Sequence, residues 1–313
     1  MTRALVFPGQ GSQAVGMGRA LNDAFAAARD VFGEVDEALK QNLSRLMFEG
    51  PESELTLTEN AQPALMTVSL AVMRVLERDA GLDLKRHVAF VAGHSLGEYS
   101  ALSAARALSL ADTARLLKRR GVAMQRAVPV GKGAMAALLG LDLEAARAVA
   151  EEAAQGEVCA VANDNGAGQV VVSGSKAAVE RAVAIAAERG AKRSIMLPVS
   201  APFHCPLMAP AAREMEEALA AVPLGEPWVP LIANVTAAPV RTPGENKRLL
   251  VEQVTGLVRW RESVLAMKEA GVHELVELGA GRVLSGLAKR IDRALAALSL
   301  GAPAEIEAFV KTL

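Results

Sequence analysis

The fold of this chain is decided by the segment Gly93-His94-Ser95-Leu96-Gly97, which matches the pattern G-x-S-x-G. The apolar residues 87–92 (HVAFVA) precede this segment and predict a buried strand, whereas residues 98–105 (EYSALSAA) follow it and predict a helix. A strand, a sharp turn and a helix form the context in which this pattern marks a nucleophile elbow on an α/β sheet. The new helix directs the positive end of its dipole at an oxyanion that forms beside the serine. Ser95 is therefore our candidate nucleophile.

The composition limits the classes of protein to which the chain can belong. Its 313 residues are 51% hydrophobic, which suffices for one large domain or for a large domain that carries a smaller one. The formal net charge of −1 argues against a protein that binds nucleic acid. The two cysteines, Cys159 and Cys205, fit a reducing compartment rather than a disulfide scaffold.

Neither a signal peptide nor a membrane span is predicted. The apolar residues 4–7 are too few for the apolar region of a signal peptide, and Pro8 and Gly9 follow them. The longest apolar stretch, residues 63–73, is interrupted by Thr67 and Ser69 and is too short to cross a bilayer. We therefore expect a cytoplasmic protein without a membrane partner.

The middle of the chain predicts a small domain of its own. Its patterns follow the order β-α-β-β-α-β, which is typical of a ferredoxin-like unit, over residues 133–139, 144–154, 158–162, 169–173, 176–188 and 193–197. The two central strands are joined by Asn163-Asp164-Asn165-Gly166-Ala167-Gly168, a strong turn signal. We interpret residues 128–198 as a ferredoxin-like subdomain inserted into a larger domain.

The flanking segments, residues 1–127 and 199–313, predict a large α/β domain. The first segment has a strand at residues 3–7, helical patterns at 23–46, 58–78 and 110–125, and the elbow. The second has further helix and strand patterns, at residues 206–222, 229–233, 246–258, 262–270, 273–278 and 283–293, and a loop at 236–244. The predicted fold class is α/β, with an α/β-hydrolase-like large domain built on a parallel sheet.

A serine nucleophile needs a base, and four histidines are available. His87 and His273 open predicted strands and so lie at the wrong end of the sheet, while the side chain of His94 diverges from that of its neighbour Ser95. His204 stands in a loop bracketed by prolines just before a helix, which suits a general base, although a surface or capping histidine is the alternative. No acid between Ser95 and His204 is a convincing third member, so a backbone carbonyl is left as the partner that holds the imidazole.

Two further features bear on acyl chemistry. The loop Gly9-Gln10-Gly11-Ser12-Gln13-Ala14 matches a dinucleotide fingerprint formally, but the second strand that such a site requires is missing. The loop is either a purely structural turn or the source of an oxyanion-hole N–H at Gln10, which would act with the N–H of Leu96. Arg120 stands where we expect a helix to end, as a solvated dipole partner or as a clamp for a carboxylate.

Several motifs together resemble the malonyl-CoA:acyl carrier protein transacylase family over essentially the whole chain. They are Phe7-Pro8-Gly9-Gln10-Gly11-Ser12-Gln13, Gly93-His94-Ser95-Leu96-Gly97-Glu98, Arg120-Gly121 with Met124-Gln125, Gly133-Ala134-Met135-Ala136-Ala137, Ser200-Ala201-Pro202-Phe203-His204, Ala233-Asn234-Val235-Thr236, Gln253 before Trp260, and Glu277-Leu278-Gly279. The resemblance implies that Ser95 carries the acyl group and that His204 is the base. It also implies oxyanion-hole roles for Gln10 and Leu96.

The resemblance further implies that Arg120 binds the free carboxylate of a malonyl group, which favours the second of the two interpretations above. It implies that a backbone carbonyl near Gln253 orients the histidine. It places Phe203, whose ring leaves little room for a branched acyl group, at the substrate together with His94, Met124 and Gln253.

The expected function is transfer of malonyl from malonyl-CoA to the phosphopantetheine thiol of holo acyl carrier protein, through a malonyl-serine, for fatty acid synthesis. We expect a coenzyme A thioester substrate, no bound cofactor, no metal and a monomer. Five basic residues are candidates for binding an acidic carrier protein, or are simply solvated: Lys118, Arg119, Arg189, Lys192 and Arg193. The alternatives are a serine thioesterase or esterase with the same Ser95–His204 pair, and a non-catalytic module that binds acyl carriers.

Overall fold

The computed structural model describes residues 2–313 and contains two sheets. The first segment of the chain forms β1 (Arg3–Phe7), α1 (Arg19–Ala24), α2 (Ala26–Leu39), α3 (Leu43–Glu49), α4 (Glu52–Leu55), α5 (Thr58–Arg78), α6 (Leu84–His87), β2 (Val88–Gly93), α7 (Gly97–Ala104) and α8 (Leu110–Ala127). The middle segment forms β3 (Gly133–Leu139), α9 (Leu143–Ala154), β4 (Cys159–Asp164), β5 (Gln169–Ser175), α10 (Lys176–Glu188) and β6 (Arg193–Met196). The last segment begins with a 3-10 turn (Pro206–Met208) and continues with α11 (Ala209–Ala221), β7 (Leu231–Ile232), β8 (Pro239–Val240), α12 (Pro243–Thr255), α13 (Trp260–Glu269), β9 (Glu274–Leu278), α14 (Val283–Ile291), β10 (Ala296–Leu300) and α15 (Pro303–Val310).

The larger sheet has the strand order β10-β9-β1-β2-β7-β8. All neighbouring pairs are parallel except β7 and β8, which form a short antiparallel hairpin at the edge. The central strand β1 is buried along its whole length, as expected for a strand with helices on both faces. The carboxyl ends of β1, β2 and β7 meet at one edge, and that edge is where ligands bind in open parallel sheets.

The smaller sheet is antiparallel, with the order β4-β5-β3-β6, and α9 and α10 cover one of its faces. Small side chains of those helices and alternate residues of the strands form one buried apolar cluster, which includes Ala146, Val172 and Ala182. This arrangement confirms the ferredoxin-like prediction. Its boundaries at residues 128 and 198 remain a prediction.

The smaller sheet is attached to the rest of the chain by main-chain and charged contacts of its strand β4. The Asp164 N–H donates to the Val258 carbonyl at 2.9 Å, and the Val258 N–H donates to the Ala162 carbonyl at 2.9 Å. The buried Asp164 carboxylate also forms an ion pair with Arg261 at 2.9 Å. The strand β4 is thereby fixed to the segment that leads into α13.

The structure departs from the predicted elements in several places, among them the short helices α4 and α6, which were not predicted. The helical pattern at residues 23–46 is interrupted at Lys40, whose φ of 50° ends α2. The strand predicted at residues 229–233 shortens to β7, and the predicted loop at 236–244 contains its hairpin partner β8. The strand β10 and the helix α15 were not predicted at all, because Ala296 and Ala297 lack the β-branched side chains that indicate a strand.

The long helix α5 is covered on nearly every side. Polar and apolar residues alike are buried between its first turn and Leu76, and it packs on α2 and α8. Among residues 2–313, no helix is both long enough and apolar enough to cross a membrane.

Candidate active site

Ser95 lies in a sharp turn between β2 and α7, with a strained φ of 54°. The turn requires its two glycines: a Cβ on Gly93 would lie 1.9 Å from the carbonyl carbon of Gly97, and one on Gly97 would lie 2.2 Å from the Phe7 carbonyl oxygen. Asn234 holds the turn from outside. Its Oδ1 accepts from the Ser95 N–H at 2.8 Å, and its Nδ2 donates to the Gly93 carbonyl at 2.7 Å.

The loop before the 3-10 turn brings His204 to the serine. The Ser95 Oγ lies 2.7 Å from His204 Nε2, and His204 Nδ1 lies 2.8 Å from the Gln253 carbonyl oxygen. Because a carbonyl only accepts, the neutral ring carries its proton on Nδ1, and Nε2 accepts the serine hydroxyl. Burial, with a further contribution from the Arg120 charge, lowers the pKa of His204 to about 3. The imidazole is therefore in its basic form at neutral pH.

Arg120 is buried in the interior of α8, and not at a helix end as the sequence suggested. Its Nη1 donates to Gln62 Oε1 at 2.8 Å. Its Nη2 lies 3.1 Å from Ser95 Oγ and 2.7 Å from Gln253 Oε1. It forms no ion pair with any residue among 2–313, so its charge has only neutral partners, and burial lowers its pKa.

Gln10 and Leu96 line the same cavity as the serine, in the segments that follow β1 and β2. Within the described chain, neither backbone N–H donates a hydrogen bond to another residue. The Gln10 side chain is fixed by Thr58, whose hydroxyl donates to Gln10 Oε1 at 2.8 Å. Both amides are thus free to act as donors to a bound group.

These residues line a cavity of about 540 Å³, to which loops and helices of the large domain and strands of the small domain contribute. Met124 and Phe203 form part of its apolar wall. His94 also lines it, with Nε2 2.9 Å from Asn165 Oδ1, and desolvation lowers the pKa of the His94 ring. The small domain contributes Met135. Among residues 2–313, no three His, Cys, Asp or Glu side chains are grouped as metal ligands.

The structure thus brings all nine predicted site residues together around one cavity. Eight line its wall, namely Gln10, His94, Ser95, Leu96, Arg120, Met124, Phe203 and His204, and Gln253 contacts Ser95, Arg120 and His204 from behind. The geometry is that of a serine with a neutral imidazole base and a buried cation beside it.

Comparisons with known proteins agree with this geometry. The family described as acyl transferase domain matches residues 4–294. The malonyl CoA-acyl carrier protein transacylase of Bacillus subtilis (strain 168) is 46% identical over 99% of this chain and 96% of its own length. This chain belongs to the malonyl CoA-acyl carrier protein transacylase family. It is therefore an acyltransferase.

Solved structures of the transacylase family have the same fold. The acyl-carrier-protein S-malonyltransferase of Bartonella henselae superposes with a TM-score of 0.97 at 55% identity, covering 100% of this chain and 99% of that one. A malonyl-transacylase solved in complex with a type II PKS acyl-carrier protein superposes with a TM-score of 0.97 at 40% identity, covering 100% of both chains.

Four polar residues of this transacylase site were given no role by the sequence. Thr58 and Gln62 are buried on α5, where Gln62 Nε2 donates to Thr58 Oγ1 at 2.9 Å. Asn234 and Glu98 are buried behind the elbow and are bonded to each other through the Asn234 N–H. Thr58, Gln62 and Glu98 are polar residues within apolar helical segments. This pattern could have marked them as members of a buried polar network, because buried polar side chains need hydrogen-bond partners.

Proposed function

We propose that this chain transfers a malonyl group from malonyl-CoA to the phosphopantetheine thiol of acyl carrier protein through a malonyl ester of Ser95. One observation carries the proposal: the Ser95 Oγ lies within hydrogen-bond distance of both the His204 imidazole and the Arg120 guanidinium. The first contact supports nucleophilic attack, and the second supports recognition of an acyl group that ends in a carboxylate. The names of the relatives support the same substrates.

In the first half-reaction, Ser95 Oγ attacks the thioester carbonyl carbon while His204 Nε2 takes the serine proton. The carbonyl π electrons move to oxygen, and the N–H groups of Gln10 and Leu96 bind the resulting oxyanion. Each such donor lowers the barrier by about 3 kcal/mol. The intermediate then collapses by breaking the C–S bond. Coenzyme A leaves as a thiol, with the proton that His204 returns to it.

Arg120 supplies the recognition of malonyl. Its guanidinium is buried and pairs with no carboxylate of residues 2–313, although an unpaired buried charge is costly. A malonyl carboxylate would supply the missing counter-charge through two parallel hydrogen bonds. Because Arg120 already lies beside Ser95 Oγ, the carboxylate is bound on the same acyl group that the serine carries.

In the second half-reaction, the carrier thiol gives its proton to His204 and its sulfur attacks the ester carbonyl. Ser95 leaves and recovers the proton from His204. The Gln253 carbonyl holds the imidazole in the required tautomer in both steps, which accounts for a site without a triad acid. The ring of Phe203 limits the width of the acyl pocket and supports a preference for malonyl over branched acyl groups.

The remaining features of the proposal concern the cell. We propose that the chain supplies malonyl units for fatty acid synthesis in the cytoplasm and acts as a monomer. The two free cysteines, Cys159 and Cys205, support a reducing compartment. The solved relative in complex with an acyl-carrier protein supports a carrier as the acceptor.

The test of the proposed intermediate is intact-mass analysis after incubation with malonyl-CoA. We expect one malonyl adduct on the wild-type chain and none on S95A. The matched control is S100A, which removes another buried hydroxyl of α7 and should keep the adduct. An adduct that persists on S95A, or no adduct on the wild type, would contradict the proposal.

A further inference from the structure

Glu98 is a buried carboxyl group that has no role in the reaction described above. It lies in the first turn of α7 and is 1% exposed. Its Oε1 accepts from the Asn234 N–H at 2.7 Å, and its Oε2 contacts Gln253 Nε2. Burial raises the pKa of Glu98 to about 8, and this rise is opposed by the hydrogen bonds from Asn234 and Gln253 and by the Arg120 charge.

The side-chain amide of Gln253 lies between Glu98 and Arg120, and these neighbours impose opposite demands on it. Arg120 can only donate, and it faces Gln253 Oε1 at 2.7 Å. N–H donors face both oxygens of Glu98, so these contacts fit its ionised form, which prevails above the pKa of about 8. That carboxylate can only accept, and its Oε2 faces Gln253 Nε2. Nε2 also donates to the Ser95 carbonyl at 2.9 Å. The amide therefore has one favourable orientation, with its oxygen towards the arginine.

Both partners of Glu98 also contact the elbow or its base. Gln253 contacts Ser95, Arg120 and, through its own backbone carbonyl, His204. Asn234 binds the backbone of the strained turn at the Ser95 N–H. A single buried carboxyl group thus contacts both residues that hold the reacting groups in place, Asn234 through its backbone N–H and Gln253 through its side chain.

We propose that Glu98 is a positioning residue that fixes the Gln253 amide with its oxygen towards Arg120, and thereby sets the preference of the site for acyl groups that carry a carboxylate. The inference rests on the proposed function, because the preference concerns malonyl. It assigns Glu98 no contact with the substrate.

The variant E98Q reverses one polar contact at nearly constant shape. The new amide must keep its oxygen towards the Asn234 N–H, because that backbone donor cannot turn. Its NH₂ group then faces Gln253 Nε2, so that two donors oppose each other. The Gln253 side chain has to rotate or withdraw, and Arg120 loses an acceptor.

The readout is the rate of acyl-enzyme formation from malonyl-CoA relative to that from acetyl-CoA, measured by rapid quench at about pH 9, where Glu98 is ionised. We expect E98Q to lower this ratio at least tenfold, which corresponds to one lost hydrogen bond to a charged group. E98D keeps a carboxylate and should lower the ratio less. The matched control is E77Q on α5, another carboxyl group with a pKa raised by burial, which pairs with Arg106 at 2.6 Å and should leave the ratio unchanged.

A second comparison tests whether Glu98 acts through the Gln253 amide. Q253M removes the amide but keeps the backbone carbonyl that contacts His204. In the Q253M background, E98Q should have no further effect on the ratio. If E98Q does not fold, E98D replaces it in the same comparison, and its effect must likewise disappear.

Two results would overturn the inference. The first is an unchanged ratio of malonyl to acetyl rates in E98Q. This includes an equal fall of both rates, which is the result expected if Glu98 only stabilises the fold. The other is an effect of the Glu98 variant that persists in Q253M. Failure of the proposed function is distinct, because the wild-type chain itself would then form no malonyl ester at Ser95.

Discussion

At the scale of single residues, Arg120 combines a full positive charge with nearly complete burial. Its hydrogen-bond partners Gln62, Ser95 and Gln253 are all neutral, so the charge is oriented without a direct counter-ion. A residue held in this way is suited to bind an anion from outside the chain.

Replacing Arg120 by alanine should lower kcat/KM for malonyl-CoA by roughly 10- to 100-fold more than for acetyl-CoA, since hydrogen bonds to charged groups are each worth about 1.5–3 kcal/mol. The preference of R120K for malonyl-CoA should lie between those of the wild type and R120A, because lysine keeps the charge but cannot form two parallel hydrogen bonds to a carboxylate. The control is R119A, on the exposed side of α8, where Arg119 pairs with Glu214 at 3.2 Å. Initial rates with both thioesters provide the measurement, and an unchanged malonyl preference in R120A would contradict the assignment.

The lowered pKa of His204 predicts that kcat/KM does not fall when the pH is lowered moderately below neutral. A histidine with the ordinary pKa of about 6.5 would be protonated, and lost as a base, as the pH falls from 7 to 5. With a pKa of about 3, His204 stays neutral throughout that range. We therefore expect kcat/KM for malonyl-CoA to be nearly constant between pH 7 and pH 5, and an inflection near 6.5 in stopped-assay rates would contradict this.

The same shift has a consequence for stability. In the unfolded chain His204 becomes protonated as the pH falls below about 6.5, whereas in the folded chain it stays neutral until the pH approaches 3. The free energy of unfolding should therefore decrease as the pH falls from 6.5 towards 3, and His204 should cause no such loss above pH 6.5.

At the scale of elements, the elbow depends on the contact between α7 and β1. A Cβ on Gly97 would meet the Phe7 carbonyl oxygen at 2.2 Å, and neither backbone can move away without disturbing the central sheet. G97A should therefore destabilise the chain by about 3 kcal/mol, the upper end for overpacking. Urea unfolding measures it.

The matched control for this prediction is G244A in the first turn of α12. No atom lies within 4 Å of a Cβ built on Gly244, and its φ is not positive. We expect G244A to leave the stability unchanged or to raise it slightly, because alanine favours a helix. Equal stability of G97A and the wild type would contradict the close packing of the elbow.

The elbow and the small domain were predictable because their patterns are local. The strand before Ser95, the glycines around it and the β-α-β-β-α-β order are all visible in consecutive residues. The edge strand β10 could not be predicted in this way, because it is stabilised by pairing with β9 rather than by its own alanine-rich sequence. The network of Glu98, Asn234 and Gln62 joins positions far apart in the chain, and no local pattern places such residues together.

At the scale of the whole molecule, the question is where a carrier protein reaches the site. Of the five basic candidates, Lys118 and Arg119 on α8 and Arg189 are engaged with acidic side chains. Lys192 and Arg193 are exposed at the start of β6, and the segment that follows this strand lines the cavity at Leu197. These two residues are therefore the better candidates.

Reversing the charge at Arg193 should raise KM for holo acyl carrier protein several-fold at low salt, with less effect at high salt. The first half-reaction with malonyl-CoA should not change. The control is R86E, at the amino end of β2 and so on the edge of the sheet opposite Ser95. The measurement is the KM for holo acyl carrier protein, determined by steady-state kinetics at two ionic strengths. If neither salt nor R193E changes this KM, Arg193 does not belong to the docking surface.

The central claim is that Ser95 carries malonyl to a carrier thiol and not to water. The most direct measurement isolates the malonyl-enzyme and follows its fate by intact mass, alone, with apo carrier protein and with holo carrier protein. We expect the ester to persist in the first two conditions. With holo carrier, we expect the ester to be lost rapidly and an equal amount of malonyl to appear on the carrier. Loss of the ester at the same rate in all three conditions, with free malonate as the product, would indicate a hydrolase and contradict the account.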